Sequence, residues 1–173
     1  MTETATLTAE RADLLETLAV HRSFLRHTVQ GLTDDQARQR TTTSELTLGG
    51  LIKHVATVEE SWARFVVEGP AAMAAPTDEA GYEAWANGHR LLPDETLGGV
   101  LARYAEIAAR TDDRVRTLPD LDASPPLPEA PWFEPGARRS ARRSFLHIVA
   151  ETAQHAGHAD IIRESLDGQK TMG

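Results

Sequence analysis

Four long segments of this chain repeat their apolar residues with the period of an α-helix, and this pattern constrains the fold most strongly. The segments span about 8–31, 47–69, 94–118 and 138–166. In the first segment, one stripe carries Leu14, Leu18, His21, Leu25 and Leu32. No segment shows the alternation typical of a β-strand. The sequence therefore predicts an all-α protein.

Capping signals mark several of the predicted helix ends. The run from Thr33 to Gln36 has the form of a capping box and predicts a short helix. Asp94 stands where an N-cap of the third long helix is expected. Gly31 and Gly168 stand where the first and last helices should end, because glycine is favoured just beyond a helix C-terminus.

Two long connections separate the predicted helices. Residues 70–93 are rich in alanine, proline, glycine and acidic side chains, and they predict one weak helical turn around 82–85. Residues 119–137 contain many prolines, which the interior of a helix does not accept. Four amphipathic helices with long connections predict a four-helix bundle with crossover loops, in one domain spanning 1–173.

The composition narrows the classes of function. A net charge of −8 and a pI near 5.3 argue against a surface for nucleic acid or an anionic membrane. The chain has no cysteine, so any thiol chemistry would need a thiol cofactor. We expect a cytoplasmic protein, because the N-terminus lacks a signal peptide and no apolar run reaches the roughly 18 residues of a membrane span.

The last predicted helix carries four polar side chains on the side that should face the core. Successive helical residues turn by about 100°, so Glu151, His155 and His158 share one face, with His147 one turn earlier. Burying imidazole and carboxylate groups is unfavourable unless something satisfies them. A divalent metal would do so, because both groups are ligands of zinc and nickel.

A third ligand would have to come from another helix, because Glu151 and His155 alone make a weak site. His54 is the best candidate, since it lies within the apolar face of the second long helix. Three protein ligands and an open position are typical of a catalytic metal. The residues leave one alternative open, a satisfied polar core in which His54 is a hydrogen-bonded structural histidine.

The other histidines allow more than one interpretation. His158 is a fourth ligand, a group that orients a ligand, or a proton shuttle. His147 orients a ligand or belongs to the start of the helix. His21, His27 and His89 are interpreted by default as surface or core residues.

Two further features keep two interpretations each. Trp62, two turns beyond His54, either lines a pocket or packs in the core. A basic cluster near the start of the last helix is either its solvated surface or an anion site. Its members are Arg138, Arg139, Arg142 and Arg143.

Two stretches of the chain resemble the DinB-like superfamily, and the resemblance extends over nearly the whole sequence. They are Thr47-Leu48-Gly49-Gly50-Leu51-Ile52-Lys53-His54 and Glu151-Thr152-Ala153-Gln154-His155-Ala156-Gly157-His158-Ala159-Asp160. Within the superfamily, the chain is most similar to uncharacterised proteins related to mycothiol-dependent maleylpyruvate isomerase. The resemblance implies a four-helix bundle in up-down-down-up order, often assembled as a homodimer.

The resemblance also implies a metal site. In the superfamily, one histidine of the second helix and two ligands four residues apart on the last helix hold a divalent metal. These positions correspond to His54, Glu151 and His155. Many members have two histidines on the last helix, whereas the mycothiol-dependent branch similarly has a glutamate and a histidine, so Glu151 favours that branch.

Two departures from the family pattern shape the expected reaction. His158 stands where many relatives carry glutamine. The chain also ends soon after the fourth helix, so we expect no C-terminal domain of the isomerase type and not the maleylpyruvate isomerase reaction itself.

The expected function is that of a metal-dependent enzyme with zinc or nickel and with mycothiol or another low-molecular-weight thiol. The bound thiol would lose its proton and attack a small electrophilic molecule, in S-transferase or isomerase chemistry. His158 is the expected acid/base group. Two alternatives stay open, a hydrolase that uses water at the open position and a non-catalytic binding or regulatory bundle with a structural metal.

Overall fold

The computed structural model describes residues 7–171 and contains six α-helices in that range. They are α1 (Ala9–His27), α2 (Asp34–Arg38), α3 (Leu48–Glu68), α4 (Glu79–Ala86), α5 (Leu97–Thr117) and α6 (Ala141–Asp167). Short 3-10 turns at Gly69–Met73 and Asn87–His89 follow α3 and α4. Apart from one isolated bridge between Pro126 and Arg138, residues 7–171 contain no β-structure. The all-α prediction is confirmed.

Side-chain caps begin the helices, mostly where the sequence predicts. Thr33 and Gln36 form both hydrogen bonds of a capping box at α2. The prediction of Asp94 as the cap of α5 is wrong. Thr96 is the cap, because its Oγ1 accepts a hydrogen bond from Gly99 N at 3.0 Å. A capping side chain reaches only the second or third amide beyond it, so Asp94 lies too early in the chain.

The end of α1 and the start of α6 differ from the predictions, whereas the end of α6 confirms its prediction. Helix α1 ends at His27, and Gly31 instead takes a left-handed φ of 74° in the turn that follows. Helix α6 begins three residues after Arg138, because the backbone there pairs with the proline-rich loop, with Arg139 N donating to Pro125 O. Gly168 ends α6 as predicted, with a φ of 80°.

The four long helices enclose the apolar core. Helix α1 packs against α6, α6 against α3, α3 against α5, and α5 against α1. The largest fully buried apolar side chains are Tyr104, Phe65, Phe145, Leu18, Leu25, Leu48, Leu51 and Ile52. None of the described helices is both long and apolar enough to cross a membrane. The predicted four long helices are present, and their up-down-down-up order stays a prediction.

A buried ion-pair cluster joins three of these helices. Arg22 of α1 donates to both carboxylate oxygens of Glu59 of α3, at 3.1 and 2.6 Å, and to Asp112 of α5 at 2.7 Å. Arg22 and Glu59 are both buried, whereas His21, which the sequence assigns to the core stripe, is only partly buried. The bidentate geometry offsets the cost of removing both charges from water.

A second buried arginine ties the end of α6 to the end of α1. Arg163 donates to the carbonyl oxygens of Thr28 and Gln30, at 2.8 and 3.0 Å, and its Nε donates to Asp167. These carbonyls lie beyond the last turn of α1, where intrahelical donors are missing. The two arginines thereby fix α1 against the other helices at two levels.

Replacing Glu59 by alanine should lower the free energy of unfolding by about 3–5 kcal/mol, because Arg22 would keep a buried charge with only Asp112 as partner. The matched control is Glu60→Ala. Glu60 is the next residue of α3, and it pairs with Arg103 and Arg110 at the surface. The control should cost less than about 1 kcal/mol. Urea denaturation followed by circular dichroism measures both, and equal losses would contradict the assignment.

Candidate metal centre

The three residues predicted as metal ligands come together between α3 and α6. His54 lies in the second turn of α3, and Glu151 and His155 lie one turn apart on α6. One ligand atom from each lies within 4.8 Å of the others, and this group, hereafter the candidate triad, could hold a metal ion. The Glu151 Oε2 atom is 3.9 Å from His54 Nε2 and 3.6 Å from His155 Nε2.

The donor set fits a divalent metal. Zinc–nitrogen bonds of about 2.0–2.1 Å in tetrahedral geometry place neighbouring ligand atoms about 3.4 Å apart. The two separations from the Glu151 oxygen exceed this value by only a few tenths of an ångström. Two imidazoles and one carboxylate are ligands of zinc and nickel. Three protein donors leave a fourth position available to a small molecule.

Both imidazoles of the candidate triad favour the neutral form that a metal requires. Burial lowers the pKa of His54 to about 4, with smaller contributions from His89 and His155. Burial also lowers the pKa of His155, assisted by His158 and His89. At neutral pH the ring nitrogens therefore carry lone pairs, so that protons compete little with a metal.

His147 contacts the carboxylate of the candidate triad from the other side. Its Nε2 is 3.5 Å from Glu151 Oε1, the oxygen that does not face the two imidazoles. Burial lowers the pKa of His147, and the nearby Glu151 charge opposes this change. This contact favours a role in orienting Glu151 over a role at the start of the helix, and the orienting role stays a prediction.

His158, the predicted acid/base residue, contacts His155 on the nitrogen that does not face Glu151. The two Nδ1 atoms are 3.3 Å apart, so one ring donates and the other accepts. His155 has its Nε2 toward Glu151. His158 therefore stands beside the candidate triad, and its role as an acid/base group stays a prediction.

His89 belongs to the same site, although the sequence gives it no special role. Its ring stacks on that of His54 with centroids 4.0 Å apart and planes 23° apart. It ends the 3-10 turn that follows α4, inside the connection over 70–93. The connection over 70–93 has no helical periodicity from which the orientation of His89 could be predicted. The neighbouring Gly88 is the one local signal, and it indicates only a tight turn.

A cavity of about 790 Å³ adjoins His54 and His89. It lies between α3 on one side and α4 with its following turn on the other. Its apolar wall is formed mainly by Val58, Trp62, Met73 and Trp85. The two cations at its edge are paired, Lys53 with Glu95 and Arg103 with Glu60, each at 2.8 Å. The cavity thus favours a molecule with a substantial apolar part.

Both interpretations of Trp62 hold in the structure. Trp62 is almost fully buried, yet it also lines the cavity and stands edge-on to His147 at 4.7 Å. The guanidinium of Arg139 lies over its ring at 5.1 Å. In the same basic cluster, Arg142 pairs with Glu10 and Asp122. These two arginines thus have protein partners, which favours a structural interpretation for them.

One protein-family comparison gives a match. A family model described as MST, mycothiol-S-transferase, matches residues 13–168. The matched range contains the whole candidate triad together with His89, His147 and His158. No curated protein matches the chain.

The lowered pKa of His54 predicts how stability depends on pH in the metal-free protein. Its pKa is about 4 in the folded protein and near 6.5 in the unfolded chain, so the unfolded chain binds a proton first as the pH falls. Stability should therefore decrease between pH 6.5 and 4.5, with about 2 kcal/mol due to His54. Urea denaturation with a chelator present measures this, and His54→Gln should show a shallower decrease. An unchanged slope in that variant would contradict the assignment.

Proposed function

The chain belongs to the mycothiol-S-transferase family of DinB-like proteins, and from this premise we propose a metal-dependent enzyme that transfers a low-molecular-weight thiol to a small electrophile. This proposal rests mainly on one observation: His54, Glu151 and His155 come together beside a cavity. Mycothiol or a related thiol is the proposed cosubstrate. Zinc or nickel as the metal, a homodimeric assembly and a cytoplasmic location are parts of the same proposal.

The candidate triad would hold the divalent ion. When bound, such an ion lowers the pKa of a thiol at the open position and so makes it nucleophilic at neutral pH. The chain supplies no thiol of its own, because it contains no cysteine. The nucleophile in the proposed reaction must therefore enter as a cosubstrate.

The cavity residues bind and orient the electrophile in this proposal. Trp62, Val58 and Met73 offer an apolar wall close to His54, where they exclude water from the reacting atoms. The thiol sulfur forms a bond to the electrophilic carbon while the leaving group departs with its bonding electrons. In this proposal His158, whose Nδ1 lies 3.3 Å from His155 Nδ1, takes up the thiol proton as the acid/base group.

The cavity also bears on the alternative functions. A non-catalytic bundle with a structural metal predicts a tightly packed interior and a closed coordination shell. A cavity of about 790 Å³ against His54 favours access of a small molecule instead. A hydrolase would use the same three ligands with water at the open position, so the requirement for a thiol separates it from a transferase.

Metal content is the first test of the proposed site. Protein purified without a histidine tag should contain about one zinc or nickel per chain, since three protein ligands bind tightly. His54→Ala and His155→Ala should each lower the affinity more than tenfold, because each removes a ligand. His21→Ala is the control, since His21 contacts Phe24 on α1 instead. Elemental analysis measures the content, and a wild-type protein that stays metal-free after reconstitution would contradict the proposal.

Thiol transfer is the second test, with a chloro-substituted aromatic electrophile and mycothiol as the probes. Mass spectrometry should detect the thioether only when the enzyme and the thiol are both present. His158→Gln should lower kcat at least tenfold while leaving KM and metal content unchanged, because it removes a proton acceptor without removing a ligand. A hydrolysis product without thiol would favour the hydrolase. A parallel fall in metal content would show that His158 acts through His155 instead.

A further inference from the structure

The short segment over 87–91 lies unusually close to the first turn of α3. A Cβ atom on Gly50 would lie 2.0 Å from the carbonyl oxygen of His89 and 2.7 Å from its carbonyl carbon. A Cβ on Gly49 would lie 2.9 Å from Leu91 Cδ2 and 3.2 Å from Ala37 O. Only glycine at position 50 allows the backbone of this segment to approach α3 so closely.

Helix α5 provides an internal comparison, because it begins with the same four residues as α3. Thr47-Leu48-Gly49-Gly50 and Thr96-Leu97-Gly98-Gly99 both form an N-cap and a first turn. A Cβ on Gly98 would meet nothing within 4 Å, and one on Gly99 would meet only the cap atom Thr96 Oγ1 at 3.1 Å. The close approach at Gly50 is therefore not a requirement of helix initiation.

Other contacts hold the segment over 87–91, hereafter the docked segment, in place. Leu91 is buried in the core, and Lys53 Nζ donates to Arg90 O at 3.2 Å. Lys53 also pairs with Glu95, which accepts a hydrogen bond from Leu92 N at 2.8 Å. These contacts attach the residues that directly follow His89 to α3 and to Glu95.

The consequence of this docking is the stacking of His89 on His54. Among the hydrogen bonds of residues 7–171, none involves the His54 ring, although such a bond commonly orients a metal-binding histidine. The ring is instead oriented by packing. His89 covers its face at 4.0 Å, and His155 approaches edge-on at 4.9 Å with planes 86° apart.

We propose that His89 is a positioning residue for His54 and that Gly50 permits this role by admitting the docked segment. The proposal rests on the proposed metal function of His54. The stacked ring restricts rotation of the His54 imidazole, so that its Nε2 stays directed toward Glu151. Loss of the stacked ring frees that rotation, and the entropy of ordering it must then be supplied on metal binding.

Four variants test this role through zinc affinity, measured by competition with a chromophoric chelator. His89→Ala should weaken zinc binding about tenfold, as removal of an orienting group does at other metal sites. His89→Phe keeps a stacking ring without ring nitrogens and should bind within about twofold of the wild type. Gly50→Ala should match His89→Ala, and Gly99→Ala should bind like the wild type.

The double variant Gly50→Ala/His89→Ala should bind zinc no more weakly than either single variant, because both changes remove the same contact. Cobalt substitution adds a spectroscopic readout, and the ligand-field bands should broaden in His89→Ala and stay sharp in His89→Phe. Loss of folding in Gly50→Ala alone would support the close approach, since alanine otherwise favours a helix over glycine.

The outcomes separate this inference from the proposed function. A wild-type protein that binds no zinc overturns both. A wild-type protein that binds zinc, with His89→Ala equally tight, overturns only the positioning role. His89→Phe as weak as His89→Ala would also overturn it, because His89 would then act through a ring nitrogen.

Discussion

The burial of α3 on several sides is the constraint on which the rest of the structure depends. This helix contacts α5, α6, α2 and the turns at both ends of the 70–93 connection. A polar group on a buried side of α3 therefore has little access to water and must be satisfied by the protein or by a ligand. Glu59 and His54 are two such groups, and the protein treats them differently.

Glu59 is satisfied completely and His54 is not. Both carboxylate oxygens of Glu59 accept hydrogen bonds from Arg22, so the charge of Glu59 is compensated within the protein. His54 instead has its Nε2 3.9 Å from Glu151 Oε2, beyond hydrogen-bond distance, and the ring of His155 stands edge-on to it with centroids 4.9 Å apart. The two residues lie five positions apart on α3. Glu59 stabilises the fold, whereas His54 retains the capacity to bind an ion.

Most of this architecture could be predicted from the sequence, because helical periodicity and spacing report which residues share a face. The pair Glu151 and His155 follows from the i,i+4 rule, and a histidine on an apolar face identifies His54. Helical spacing could also have identified Glu59 as a buried residue, because it lies seven residues, or about two turns, from both Ile52 and Val66, which are buried. His89 could not be predicted, since its position depends on a close approach at Gly50 that an identical stretch in α5 does not make.

The environment of the candidate triad favours a strongly electrophilic ion. Each of its three members is contacted by one further histidine, His54 by His89, Glu151 by His147 and His155 by His158. At many metal sites the groups behind the ligands are carboxylates, which add negative charge. Imidazoles in these positions do not add that charge, and burial lowers the pKa of His147 in particular. With Glu151 as the single anionic ligand, a divalent ion would keep about one unit of positive charge, which favours deprotonation of a thiol at the open position.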